Sequence, residues 1–217
     1  MQVTETFFSI QGEGRHAGVP SAFVRTTGCH LRCSWCDATY TFQGGERRSL
    51  DEIMAFVRAQ PTKDVCFTGG EPLLQKDAWD LVTRLLDDGY RVVVETSGNL
   101  PFDRSNTFPG EARRRLCISM DVKCPSSGEH TKNRPELMRD LREPDQLKFV
   151  LADRADYDFA VAFLRAHGFP PCPVYFNPVG GTDPKALTLW VLEEREPLPV
   201  HVGVQLHKLV WGDEPGR

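Results

Sequence analysis

Repeatedly along this chain, a short apolar run ends in a cluster of glycine and polar residues. Val65-Cys66-Phe67 ends at Thr68-Gly69-Gly70-Glu71-Pro72, and Tyr90 to Val94 at Glu95-Thr96-Ser97-Gly98-Asn99. Leu116 to Met120 ends at Asp121-Val122-Lys123, and Val174-Tyr175-Phe176 at Asn177-Pro178-Val179-Gly180. Val24 to Thr26 runs into a loop with three cysteines. Apolar runs of this length, separated by helix-like stretches, argue for a mostly parallel sheet of α/β class. In barrel and doubly wound folds the chemistry sits just past the C-terminal ends of the strands, where these clusters fall. With 217 residues the chain is short for a full eight-stranded barrel, so the expectation is a partial, open β/α barrel of about six strands in one domain, residues 1–217.

Local signals fill in the frame. Residues 3–8 and 21–27 read as extended, with Gln11-Gly12-Glu13-Gly14 in a loop between them. Ser49-Leu50-Asp51-Glu52 is a capping box opening a helix whose apolar face is Leu50, Ile53, Met54 and Val57. A helix is expected after Pro72 to about Asp88, with Leu74, Leu81 and Leu85 among its apolar positions and Gly89 as its stop. Residues 100–114 read as a loop, and weak helix signals over 100–134 predict a crossover that is short or lost. Leu147 to Leu151 is a further strand. Asp153 caps a helix to Ala166, and Asp183-Pro184 starts another that runs through Leu192. His201 to Leu206 reads as a last strand before His207-Lys208.

Composition narrows the function classes. Hydrophobic content of 40% and charged content of 26% are those of a soluble globular protein. A net charge of −4 offers no basic face for a phosphate backbone, so nucleic acid is not an expected partner. No stretch is long and apolar enough for a membrane span. Met1-Gln-Val-Thr-Glu lacks the basic and apolar regions of a signal peptide, so the expected location is the cytoplasm, where thiols stay reduced. Seven cysteines, an odd number, argue against a complete disulfide framework.

The cysteine loop reads Cys29-His30-Leu31-Arg32-Cys33-Ser34-Trp35-Cys36, followed by Asp37. Three thiolates on a short loop can each hold one iron of a four-iron cluster, and without a fourth local ligand one iron stays open to bind another group. The competing readings are a disulfide framework and zinc. Structural zinc wants four ligands, usually as two separated pairs, and His30 would have to fold back on its own loop. Cys66, Cys117, Cys124 and Cys172 have no partner at ligand spacing and read as small buried apolar residues.

The Cys-x3-Cys-x2-Cys spacing resembles the radical S-adenosylmethionine (SAM) superfamily, and Thr68-Gly69-Gly70-Glu71-Pro72 resembles its Gly-Gly-Glu-Pro motif. On its own the latter is an ordinary strand-end turn; behind such a loop, its glycines let backbone approach the SAM ammonium and Glu71 offers a carboxylate. A more specific resemblance covers residues 5–208. Glu5 to Gly14, Phe23-Val24-Arg25, the Cys29 to Asp37 loop, Thr68 to Pro72, Glu95 to Asn99 and Gln205-Leu206-His207-Lys208 look like the 7-carboxy-7-deazaguanine synthase family.

That resemblance implies a carbon–nitrogen lyase-type enzyme acting on a pterin, 6-carboxy-5,6,7,8-tetrahydropterin. The products are 7-carboxy-7-deazaguanine and ammonia, on the route to queuosine and related deazapurines, and SAM is used catalytically. It implies a 4Fe-4S cluster on Cys29, Cys33 and Cys36. SAM would contact Gly70, Glu71, Asp121, Lys123, Asn177, Pro178, Val179 and Gly180. The pterin would contact Ile10, Gln11, Gly12, Glu13, Arg25, Thr68 and His207. It also implies an external electron donor of flavodoxin or ferredoxin type, a homodimer, and a magnesium ion (Mg2+) beside the cysteine loop. There the chain departs from the pattern: the family usually has Ser or Thr after the aspartate, and this chain has Ala38. Asp37 and Thr39 are the remaining candidate ligands, and Thr39 in an extended stretch would point to the other face. A small radical SAM activase that makes a glycyl radical on a partner enzyme also fits the cysteine spacing. Gln11 to Gly14, Arg25 and His207 argue against it. A zinc-binding module is the non-enzymatic alternative.

Overall fold

The computed structural model describes residues 1–180, 182–212 and 214. Among these residues one sheet holds nine strands: β1 (Gln2–Ile10), β2 (Pro20–Thr26), β3 (Glu46–Arg47), β4 (Asp64–Gly69), β5 (Arg91–Thr96), β6 (Leu116–Val122), β7 (Gln146–Leu151), β8 (Val174–Pro178) and β9 (Val200–Val202). Their order is β3-β1-β2-β4-β5-β6-β7-β8-β9. From β2 to β9 every pairing is parallel. Only the pairings of β1, with β2 and with β3 at the edge, are antiparallel. The sheet is an open partial barrel; the strand count exceeds the expected six because β1 and the two short edge strands β3 and β9 add to β2 and β4–β8.

The helices are α1 (Leu50–Arg58), α2 (Ala78–Asp87), α3 (Gly110–Arg114), α4 (Arg154–His167), α5 (Pro184–Leu192) and α6 (Leu206–Trp211). The capping box forms as read: Ser49 Oγ accepts from Glu52 N (3.2 Å) while Glu52 Oε2 accepts from Ser49 N (2.7 Å). Ile53, Met54 and Val57 are then buried. Asp153 caps α4 by accepting from Asp156 N at 2.9 Å. Alternate strand residues Val24, Phe67, Val94, Ile118 and Phe149 are fully buried beneath the helices.

Three expectations are corrected. α2 starts at Ala78, and Leu74 ends a short 3-10 turn, exposed. The helix cannot start earlier because Gln75 is tied to the sheet: its side chain accepts from Gln2 N (2.9 Å) and donates to Thr27 O (2.8 Å). Residues 100–114 are not simply loop but hold a 3-10 turn at Asp103–Thr107 and α3. The last strand is Val200–Val202, and Leu206 opens α6 instead of closing a strand, since its N–H bonds Gly12 O at 2.9 Å. The weak crossover is as expected: between β6 and β7 run 3-10 turns and no α-helix. No helix among the described residues is long and apolar enough to cross a membrane.

The register places the polar strand residues. Arg25 of β2 lies beside Thr68 of β4, Glu95 of β5 beside Ser119 of β6, and Asp121 of β6 beside Lys148 of β7. Because side chains alternate along a strand, these residues share the face away from the helices.

Candidate active site

The strand ends surround a cavity of about 610 Å³. Cys29, Cys33 and Cys36 line it, half-buried and without disulfides. Their loop is pinned from the β6–β7 crossover. Arg32 N donates to Glu129 Oε1 (2.6 Å), Ser34 N to Ser127 O (3.0 Å), and Trp35 Nε1 to Ser126 Oγ (3.1 Å). Burial pushes the Cys29 and Cys33 thiols above their ordinary range. Thiolates there would therefore come from binding metal, which deprotonates a coordinating thiol. Among the described residues no three His, Cys, Asp or Glu side chains converge for a single metal ion. The sulfurs suit a cluster with one thiolate per iron.

The Thr68 to Pro72 turn supports this loop from below. Gly69 has φ +145°, a conformation that favours glycine. Gly70 N donates to Thr26 O (3.1 Å) and Glu71 N to Gly28 O (2.8 Å). A Cβ on Gly70 would stand 2.9 Å from Cys29 Cβ and closer still to the Gly28 carbonyl. Gly70→Ala is expected to force the cysteine loop outward, costing about 1–3 kcal/mol as overpacking does. Iron per chain after anaerobic reconstitution and the melting temperature both report it. Unchanged iron and melting would mean that the loop gives way freely.

Of the residues assigned to SAM, Gly70, Asp121, Lys123, Val179 and Gly180 line the cavity. Lys123 Nζ donates to Asp121 Oδ2 at 2.8 Å, and that carboxylate raises the lysine's pKa against the lowering effect of burial. Asp121 Oδ1 is buried with no partner among the described residues, an acceptor suited to a bound donor such as an ammonium or hydroxyl. Glu71 is not brought to the cavity. Its carboxylate is fully buried and accepts from Leu73 N (3.0 Å), Thr96 Oγ1 (2.9 Å) and Ser97 N (2.7 Å), bracing β4 against β5. Asn177 and Pro178 lie in β8 behind the lining, with Asn177 Nδ2 3.4 Å from Glu13 Oε2.

The same cavity is lined by Ile10, Gln11, Gly12, Glu13, Arg25, Thr68 and His207. Gln11 Nε2 donates to Glu95 Oε1 (3.1 Å) and Thr68 Oγ1 to Glu95 Oε2 (2.9 Å), so one carboxylate organises both. Arg25 Nε donates to Glu5 Oε1 at 2.8 Å, leaving the Nη edge of its fork for another anion. His207 packs directly on Gly12, where a side chain would overlap its ring. Glu13 pairs with Lys148 and accepts from Gln205 Nε2 at 2.7 Å. Burial alone would raise Glu13; the Lys148 ammonium and the hydrogen bonds override it and hold the carboxyl at about 2. Lys148 is lowered by burial but raised further by Glu13, Asp121 and Glu95, so it stays a cation.

Glu95, Lys148, Ser119 and Gln205 are lining residues that the sequence reading did not assign a role. Lys148 had a usable signal: in Gln146-Leu-Lys-Phe-Val-Leu it interrupts an apolar run on the face opposite Leu147 and Phe149. Gln205 stood in a stretch that resembles the family, but its place beside Glu13 depends on α6 folding back over Gly12.

The residues offer a magnesium ion no more than one side-chain ligand, Asp37. Ala38 lines the cavity and has no donor atom, and its carbonyl already accepts from Thr41 N (2.9 Å) and Thr41 Oγ1 (2.7 Å). Thr39 is not extended as expected. It starts a 3-10 turn, Thr39–Thr41, and is exposed outside the lining. Asp37 faces the ammonium of Lys208 at 3.9 Å.

Comparison with known proteins places this geometry. The radical SAM superfamily model matches residues 23–112. The 7-carboxy-7-deazaguanine synthase of Koribacter versatilis is 42% identical, covering 99% of this chain and 98% of its own. The protein of that name from Thermoplasma acidophilum is 40% identical over 100% of both. The crystal structure of QueE from Escherichia coli matches with a TM-score of 0.74, at 20% identity, over 95% of this chain and 94% of that one. Streptococcus suis SuiB bound to its precursor peptide SuiA matches at TM-score 0.56 and 11% identity, over 83% of this chain and 47% of that one. Both structural likenesses are of fold. With relatives of this identity aligned over nearly its whole length, the chain belongs to the 7-carboxy-7-deazaguanine synthase family of radical SAM enzymes.

Proposed function

We propose that this chain converts 6-carboxy-5,6,7,8-tetrahydropterin to 7-carboxy-7-deazaguanine with loss of ammonia. The observation that carries the reading is one cavity lined both by three free cysteines and by a polar floor of Gln11, Thr68, Glu95 and Arg25. Membership of the family brings a 4Fe-4S cluster and SAM and a need for reducing electrons. When bound, these groups supply a hydrogen-abstracting radical, and the protein supplies orientation and shielding. Cys29, Cys33 and Cys36 would hold the cluster; Gly70, Asp121, Lys123, Val179 and Gly180 would contact SAM. Glu71, Asn177 and Pro178 support that site from behind.

At the pterin end, the flat aminopyrimidinone edge offers alternating donors and acceptors. Gln11, Thr68 and Glu95 present a matching set, already fixed by hydrogen bonds to one another. Gln205 Oε1 is buried and unpartnered among the described residues, a further acceptor in the lining. Preorganised groups of this kind bind without a reordering cost. Arg25 would take the substrate carboxylate. Arg25→Lys keeps the charge but loses the fork, so pterin affinity should fall by about 1.5–3 kcal/mol, the worth of a hydrogen bond to a charged group. SAM affinity should not change. Unaltered pterin affinity would make Arg25 a structural partner of Glu5 alone.

The chain is proposed to work as one domain, in the cytoplasm, as a homodimer reduced by a flavodoxin- or ferredoxin-type donor. The family relationship over the whole length sets aside the glycyl-radical activase and the zinc module. The deciding experiment is anaerobic incubation with SAM, reductant and the carboxytetrahydropterin, followed by mass spectrometry. Product at the mass of 7-carboxy-7-deazaguanine is expected. With substrate deuterated at C6, label should return to the product, and deoxyadenosine should not accumulate with turnover. One deoxyadenosine per product would overturn the catalytic use of SAM.

A further inference from the structure

The chain departs from its family's pattern at Ala38, and next to that residue the structure sets Lys208 against Asp37. Lys208 lies in the first turn of α6, its N–H donating to Gln205 O at 3.0 Å. The helix is fixed by Leu206 N to Gly12 O, so Lys208 approaches the cavity from a rigid base. Both Lys208 and Asp37 line the cavity, and their 3.9 Å separation links the C-terminal helix to the end of the cysteine loop. That distance is an ion pair but is longer than a direct hydrogen bond.

Arg25 lines the same cavity. Its guanidinium stands 6.0 Å from the Tyr40 ring centroid, Tyr40 donates to Glu5, and Asp37 is within electrostatic reach of Tyr40. Arg25, Asp37 and Lys208 all line this one cavity. An anion entering there would meet a cation already oriented by a carboxylate. A divalent ion would do the same electrostatic work: bridge Asp37 to the anion. An ammonium has three donors and can bridge two carboxylates. It cannot be removed by a chelator.

We propose that the Lys208 ammonium, oriented by Asp37, binds the substrate carboxylate in place of a magnesium ion, making substrate binding by this chain independent of magnesium. The proposal rests on the pterin reading above, because the carboxylate it invokes is the pterin's.

The test is pterin affinity, not turnover. Calorimetry would use cluster-reconstituted protein with SAM and 6-carboxy-5,6,7,8-tetrahydropterin, anaerobically, in chelator and then with added magnesium. Wild-type affinity should change by no more than about twofold on adding magnesium, whereas Lys208→Met should weaken it by about 10- to 150-fold. Lys208→Arg, which keeps a cation, should recover most of that loss. Lys208→Met combined with Ala38→Thr should regain affinity only when magnesium is present. Cluster absorbance and SAM affinity, unchanged in all variants, show that the fold is intact. Wild-type affinity that collapses in chelator, or Lys208→Met binding as tightly as wild type, would overturn the proposal. If wild type fails to bind the pterin at any magnesium concentration, the functional reading itself falls, and this inference with it.

Discussion

Replacing Cys36 by alanine is expected to leave a folded protein that has no absorption near 400 nm, roughly where thiolate-bound clusters absorb, and no turnover. The reason is the lack of a substitute. Cys66, Cys117, Cys124 and Cys172 are buried in strands or behind them, and none lines the cavity. Burial pushes the Cys66 thiol well above its ordinary range, and Cys172 to about 12, so neither is a ready thiolate. The fold should survive because the loop is held by backbone and side-chain bonds to Ser126, Ser127 and Glu129, not by sulfur. Iron analysis, visible absorption and far-ultraviolet circular dichroism on the reconstituted variant separate these effects. A Cys36→Ala protein that holds a full, competent cluster would remove the assignment of the third ligand.

Lys148→Met should be the most destabilising single change in the polar floor. Glu13 and Lys148 form a buried ion pair, and removing one partner leaves the other charge uncompensated, a loss of about 3–5 kcal/mol. For a chain of this size that corresponds to a drop in melting temperature of about 6–20 °C. Replacing both residues, Glu13→Gln with Lys148→Met, should recover part of the loss, which a double-mutant cycle would quantify. The pH dependence carries the same signature. Glu13 in the folded protein lies at about 2, below its ordinary 4.5. A depressed carboxyl contributes stability above its unfolded pKa and loses it as pH falls through the folded one. Wild-type stability should therefore decline between pH 4.5 and about 2, and that part of the decline should vanish in Glu13→Gln. If Lys148→Met melts within a degree or so of wild type, the pair is solvated in solution and the cavity floor is wetter than its burial indicates.

The parts of this molecule legible in the sequence are those set by local rules. The Ser49 capping box, the Asp153 and Asp183 caps and the strand-end clusters depend on neighbours within a few residues, and each forms as read. The failures are tertiary. Leu74 carries a helical spacing, but the side chain of Gln75 bonds across to β1 and the helix waits until Ala78. Glu71 looks available for a cofactor until Thr96 and Ser97 turn toward its carboxylate. The stretch after Val202 has strand-like residues, yet Leu206 finds its backbone partner in Gly12, far back in the chain. Glu95 acquires a place in the site only when parallel register sets it beside Ser119. Residue types announced the cluster end because three cysteines must be close in sequence; the substrate end is assembled from separate strands and has no such signature.

The contact between α6 and the Gly12 loop has a thermodynamic consequence. An open sheet has two ends, and here a side-chain bond and a backbone bond join them: Gln205 Nε2 donates to Glu13 across 192 positions, and Leu206 N to Gly12 O. Closing so long a loop is less costly than it looks, since each doubling of length adds only about 0.6 kcal/mol. The join makes the first and last elements of the fold into one cooperative unit, so neither can fray without opening the seam beside the substrate. A ligand that binds only the joined form stabilises both by mass action. Occupancy of the cavity is thereby linked to protection of segments nearly two hundred residues apart in the chain.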